Sequence, residues 1–108
     1  MSLGKPGLRT ARFGGHVQAL QPSTTQRVAY TGTAGVISNA IADGTEIVRV
    51  MLTSDGYIKF GASPTATNAD VPMAAFVPEY FVVPPGGSMK VSAVQDTANG
   101  SMNVTEML

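Results

Sequence analysis

Apolar residues in this chain run only a short way before a turn residue stops them. From Arg27 onward, Gly, Pro and Asp-Gly punctuate the sequence at spacings of about 8 to 18 residues. An amphipathic helix needs apolar positions at i, i+3, i+4 and i+7 across a longer window, and no segment sustains that stripe. "TNADVPMAAF" has room for at most a helical turn, because Pro72 removes a donor and clashes with the preceding turn. The segments read instead as strands. "TEIVRVMLT" (45–53) is the strongest, dense in β-branched and apolar residues. "SMKVSAVQ" (88–95) alternates Met89, Val91 and Ala93 with Lys90, Ser92 and Val94, and "SMNVTEM" (101–107) alternates in the same way. "RVAYTG", "AGVISNAI", "YIKFG" and "EYFVV" complete a set of about seven or eight short strands. "SDG" at 54–56 predicts a hairpin between its flanking strands, since Gly tolerates the positive φ of a two-residue turn. "DG" at 43–44, "PPGG" and "DTANG" mark further turns.

This punctuation predicts an all-β fold: a single β-sandwich, jelly-roll-like, with an extended N-terminal arm. The arm is residues 1–26 and the sandwich 27–108. The arm has Gly at 4, 7, 14 and 15 and Pro at 6 and 22, and its apolar residues Leu8, Phe13, Val17 and Leu20 are scattered singly. Such a segment does not order itself, but its Phe and Leu between arginines suit docking on another surface. A chain of 108 residues without cysteine folds on one core, with neither disulfides nor a thiolate metal site. The lack of cysteine fits synthesis in a reducing cytoplasm. No apolar run reaches membrane-spanning length and the first residues lack the apolar core of a secretory signal, so neither is expected.

Charge is sparse, at 13% of residues, and formally sums to zero. It is also uneven. Lys5, Arg9, Arg12 and Arg27 stand in residues 1–42 with no acid, whereas residues 43–108 hold three bases and seven acids. A basic front and an acidic remainder favour head-to-tail contact between copies, or contact with an acidic partner. Four cations spread over 27 residues, without a basic folded surface, argue against nucleic acid as that partner.

No constellation for covalent chemistry is visible. The single histidine, His16, lies in the arm without a partner in sequence. The seven carboxylates are dispersed; Asp43, Asp55 and Asp96 sit in turns, where Asp bonds backbone N–H groups. "NAD" (68–70) offers too few oxygens for a calcium loop. "GKPG" and "FGG" lack the strand–loop–helix context of a phosphate site. The expectation is a chain that is not an enzyme and carries no cofactor or metal. The aromatics Tyr57, Phe60, Phe76, Tyr80 and Phe81 read mainly as core, with Tyr80 and Phe81 on opposite faces of one strand. Residues 62–76 form a long neutral connection of small residues, expected to cross between sheets and to lie flat on its own sheets or on a partner.

The run "FGASPTATNADVPMAAFVPEYFVVPPGGSMKVSAVQDTANGSMNVTEM", with the preceding "TEIVRVMLTSDGYIKFG", resembles the C-terminal part of small virion-associated proteins of tailed bacteriophages and prophages. The shared texture is a strand ending in "FG.SPTAT", then "VPEYF.V.PG", "KV.V.Q" and a closing "VTEM"; it spans about residues 45–107, and the doubled "PPGG" departs from it. The resemblance implies a capsid decoration (cement) or other head-associated subunit with a sandwich or jelly-roll fold, located in the virion after synthesis in the bacterial host. Its implied partners are copies of itself and a capsid or tail protein; it brings no catalytic residues. A tail or adaptor component is the nearest alternative, and a carbohydrate- or surface-binding module using Tyr57 and Tyr80 is another. Arg9, Arg12, Phe13, Pro64, Pro72, Met73 and Tyr80 are the expected contact residues.

Overall fold

The computed structural model describes residues 9–10 and 18–108. Its strands are β1 (Arg9–Thr10), β2 (Gln18–Ala19), β3 (Pro22–Tyr30), β4 (Gly35–Val36), β5 (Ile47–Leu52), β6 (Gly56–Gly61), β7 (Val71–Met73), β8 (Glu79–Val82), β9 (Lys90–Gln95) and β10 (Gly100–Met107). β1 and β2 pair as a small antiparallel ribbon. The remaining eight form two antiparallel sheets, in the orders β3-β10-β5-β8 and β4-β9-β6-β7. Counted from β3 as the first strand, these orders are 1-8-3-6 and 2-7-4-5, the arrangement of a jelly roll. The described residues contain no helix. The all-β sandwich that the punctuation implies is what the chain forms.

Alternation decides which residues fill the space between the sheets. Val48, Val50 and Leu52 of β5, Met102 and Val104 of β10 and Tyr30 of β3 point inward from one sheet; Ile58, Val91, Ala93 and Met73 point inward from the other, and all are buried. The rings of Phe60 and Phe81 meet across the sandwich at 5.6 Å, tilted by 56°. Each such aliphatic side chain contributes about 1.5–3 kcal/mol by leaving water. Together they form one continuous core.

The expected hairpin at "SDG" does not exist. β5 and β6 belong to different sheets, so residues 53–55 turn a corner of the sandwich. Gly56 does not take a positive φ. Glycine is required there for another reason: a Cβ at 56 would lie 2.5 Å from the Val94 carbonyl oxygen, so the strands pack too closely for a side chain. At "DG" 43–44 the turn reading holds: Gly44 has φ 89°, and Thr45 N–H donates to the Ala42 carbonyl at 3.1 Å. Among the eight sheet strands, only β6 and β7 are consecutive and paired.

β7 lies inside the stretch read as one long crossing. It pairs with β6 through Val71, Pro72 and Met73. Pro72 is accommodated because β7 is an edge strand. The crossing between sheets is confined to residues 74–78. The stretch from 62 to 70 folds back onto the outer face of its own sheet. There Ala66 N–H donates to the Ser92 hydroxyl at 3.0 Å, and Ala66, Ser92 and Pro64 are buried. Asp70 closes the far end by accepting from Thr67 N–H at 2.7 Å. Small neutral residues serve this purpose because nothing charged is taken from water.

Strand pairing also begins earlier than the arm boundary at residue 26 implies. β3 starts at Pro22 and runs beside β10, and Gln21 and Leu108 exchange backbone hydrogen bonds of 2.8 Å. At the other sheet, β4 is only two residues long, although Ile37 and Ile41 N–H still donate to the Val91 and Met89 carbonyls.

Candidate interaction surface

β3 and β4 adjoin along one side of the sandwich. The opposite side is formed by the two other edge strands, β7 and β8, and by the crossing 74–78 that links them. Of the seven large hydrophobic residues exposed among the described residues, five lie here: Val71, Phe76, Val77, Tyr80 and Val82. Val82 is 75% exposed, Phe76 65% and Tyr80 55%. Scattered exposed apolar residues are ordinary; their concentration within one twelve-residue stretch makes this side the candidate interaction surface.

Backbone geometry builds this strip. Leu52 bridges to Ala75, and Phe76 N–H donates to the Leu52 carbonyl at 2.7 Å. The Asp55 carboxylate accepts from Ala75 N–H at 2.8 Å. Phe76 is thereby held at φ 59°, a left-handed conformation that is costly for a bulky residue. The strain turns an aromatic ring outward. Along β8, Phe81 faces the core and Tyr80 and Val82 face solvent. Their cross-strand partners are Arg49 and Ile47. The expected opposition of Tyr80 and Phe81 holds; the expectation of Phe76 as core does not.

The other expected contact residues divide. Pro72 is exposed on β7. Met73 is buried in the core, and Pro64 is buried under its own loop, so both pack within the subunit instead of offering surface. Arg9 takes its place in β1, opposite Ala19. Arg12, Phe13 and His16 lie outside the described residues. Sequence reasoning missed Val77 and Val82 as surface residues. The prolines at 78, 84 and 85, which keep β8 short, were the available signal.

Two open hollows flank the strip. One, of about 290 Å³, is lined by Asp55, Tyr57, Pro72, Ala74 and Asp96 among others. Tyr57 donates its hydroxyl to the Asp96 carboxylate at 3.1 Å. That hydrogen bond, then the carboxylate's charge, raises the Tyr57 pKa above its usual value. The other, of about 310 Å³, lies between residues 41–46 and 82–89. Near it the buried Glu106 carboxylate accepts from Thr45 Oγ1 at 2.9 Å and Ala42 N–H at 3.2 Å. Tyr57 and Tyr80 point outward from different sheets, so they form no shared stacking platform. Among the described residues no three His, Asp or Glu side chains gather in a metal-holding group. No family model, no curated protein and no solved structure matches the chain.

Proposed function

We propose that this chain is a non-catalytic structural subunit of a tailed-phage or prophage virion, of the capsid decoration or cement kind, acting by self-association and by binding a shell. The observation that carries the reading is the exposed apolar strip from Val71 to Val82 on one side of the jelly roll. Non-covalent cementing needs apolar area and complementary shape rather than reacting groups. A surface of low charge and zero formal net charge favours association over free solution. The resemblance of residues 45–107 to small virion proteins supplies the setting. The arm, with Arg9, Arg12 and Phe13, is the second proposed contact.

The test is immunogold labelling of particles released by the encoding strain. Label on heads supports decoration, label on tails supports an adaptor instead, and unlabelled particles refute a virion role. A companion measurement uses the chain lacking residues 1–20, which retains every strand of the two sheets. It is expected to fold and to fail to attach; full attachment would remove the arm from the mechanism.

A further inference from the structure

β8 ends its sheet, and no described strand lies on its far side. Which of its backbone groups are free follows from parity. Val83 N–H donates to the Glu46 carbonyl at 2.7 Å. By alternation, Phe81 and Glu79 then direct their backbone groups at β5, while Tyr80 and Val82 direct theirs away. The opposite side of β5 agrees. Thr53 N–H donates to the Ser101 carbonyl at 2.9 Å, so the odd-numbered residues of β5 serve β10 and the even-numbered ones serve β8. Tyr80 and Val82 thus present two N–H and two C=O groups at an open edge, and the same two residues carry the exposed apolar side chains.

We infer that two copies of this chain pair through β8, antiparallel about a two-fold axis, with Tyr80 of each opposite Val82 of the other. The inference deepens the self-association proposed above and rests on it. Register selects the arrangement. Placing Tyr80 opposite its own counterpart sets Val82 against Pro78, and placing Val82 opposite its counterpart sets Tyr80 against Pro84. Proline has no N–H, so each of those registers leaves a carbonyl without a donor. Only the Tyr80–Val82 register gives all four outward groups of each strand a partner. It joins aromatic to β-branched side chains on the outer face and extends the row Met107–Ile47–Val82 into the second copy. Glu79 falls opposite Val83, away from the other Glu79. An isologous contact consumes both edges, so the assembly closes as a dimer.

The chain contains no cysteine, so introduced thiols report register directly. Opposed residues in a hydrogen-bonded pair have Cα atoms about 5.5 Å apart, within disulfide reach. Tyr80 and its own counterpart stand diagonally, at about 7–8 Å or more. Mixing Tyr80→Cys protein with Val82→Cys protein under glutathione oxidation is expected to give a covalent dimer that neither variant gives alone. By light scattering at about 100 µM, the unaltered chain is expected at twice its 11.2 kDa. Val82→Pro is expected at the single-chain mass with an unchanged far-UV spectrum, because that N–H is unused within the subunit. A single-chain mass for the unaltered protein, a ladder of higher masses, a Val82→Pro dimer, or equal cross-linking by one variant alone would each overturn the pairing. These measurements need no particle, so they fail or succeed independently of the labelling test.

Discussion

Replacing Tyr30 with Phe tests whether the corner at residues 53–55 is held by one hydroxyl. The Tyr30 ring is 1% exposed and lies in the core; phenylalanine retains that burial. What is lost is the hydroxyl, which donates to the Ser54 carbonyl at 2.5 Å and accepts from Ser54 N–H at 3.2 Å. Each such bond is worth about 0.5–1.5 kcal/mol net, and the two orphaned backbone groups sit in a partly buried corner, so the loss is about 2 kcal/mol. A domain of about 90 ordered residues has an unfolding entropy near 0.19 kcal/mol/K, which places the fall in melting temperature at about 10 °C. Thermal unfolding followed by circular dichroism, with urea titration at 25 °C, reads both quantities. Tyr57→Phe is the internal control. Its hydroxyl bonds Asp96 at an exposed site, where water replaces the partner, so a much smaller loss than for Tyr30→Phe is expected. Equal effects of the two substitutions, or no loss for Tyr30→Phe, would refute the assignment of the corner's stability to this hydroxyl.

Three further outcomes follow from the same geometry. Ser92→Ala orphans the buried Ala66 N–H, so urea unfolding should show a loss of about 1–3 kcal/mol and amide exchange should quicken across 62–70. Phe76→Gly relieves a left-handed conformation; the melting free energy should hold or rise by about 1 kcal/mol, while particle attachment measured by co-sedimentation falls. Tyr57 should titrate above the usual phenol value of about 10 in ultraviolet absorbance, and Asp96→Asn should return it toward that value. Because the folded pKa is the raised one, any stability it confers is complete below about pH 10 and is lost as pH rises through the folded value.

Strands whose two faces differ were legible. β9 and β10 alternate, and β5 is dense in β-branched residues, because each must meet a core; the sandwich class followed from them. Elements without that contrast were not. The first half of β3, "PSTTQ", has no apolar face, since it lies exposed at a sheet edge and is held by backbone pairing to β10. β7 reads as loop because Pro72 stands at its centre, which only an edge position permits. In the sequence the glycine at 56 has the signature of a turn residue, whereas its role is close packing against β9. That distinction depends on Val94, in a strand far along the chain. The site was partly legible for a related reason. Tyr80 is set outward by simple alternation, but the outward turn of Phe76 depends on Leu52 and Asp55, and no local pattern announces it.

Those two residues suggest that the exposed strip is pre-organised. Residues 52–55 anchor three things at once. Leu52 is fully buried and accepts from Phe76 N–H; Ser54 is tied to Tyr30; Asp55 accepts from Ala75 N–H. The crossing that sets the start of β8 therefore hangs from a corner hydrogen-bonded into the core. A surface already ordered in the free subunit loses less entropy on association. Asp55→Ala separates this from mere stability. It removes one exposed hydrogen bond, so the unfolding free energy should drop by about 1 kcal/mol or less. The crossing of each copy then has to be ordered on binding, at about 0.5–1.5 kcal/mol apiece, so the dimer loses about 1–3 kcal/mol and its association weakens by about 5- to 150-fold. Sedimentation velocity across a dilution series measures that shift, and amide exchange at 74–77 shows whether the crossing has loosened. Faster exchange at 74–77 with unchanged association would mean that the strip grips its partner without needing the crossing held in place.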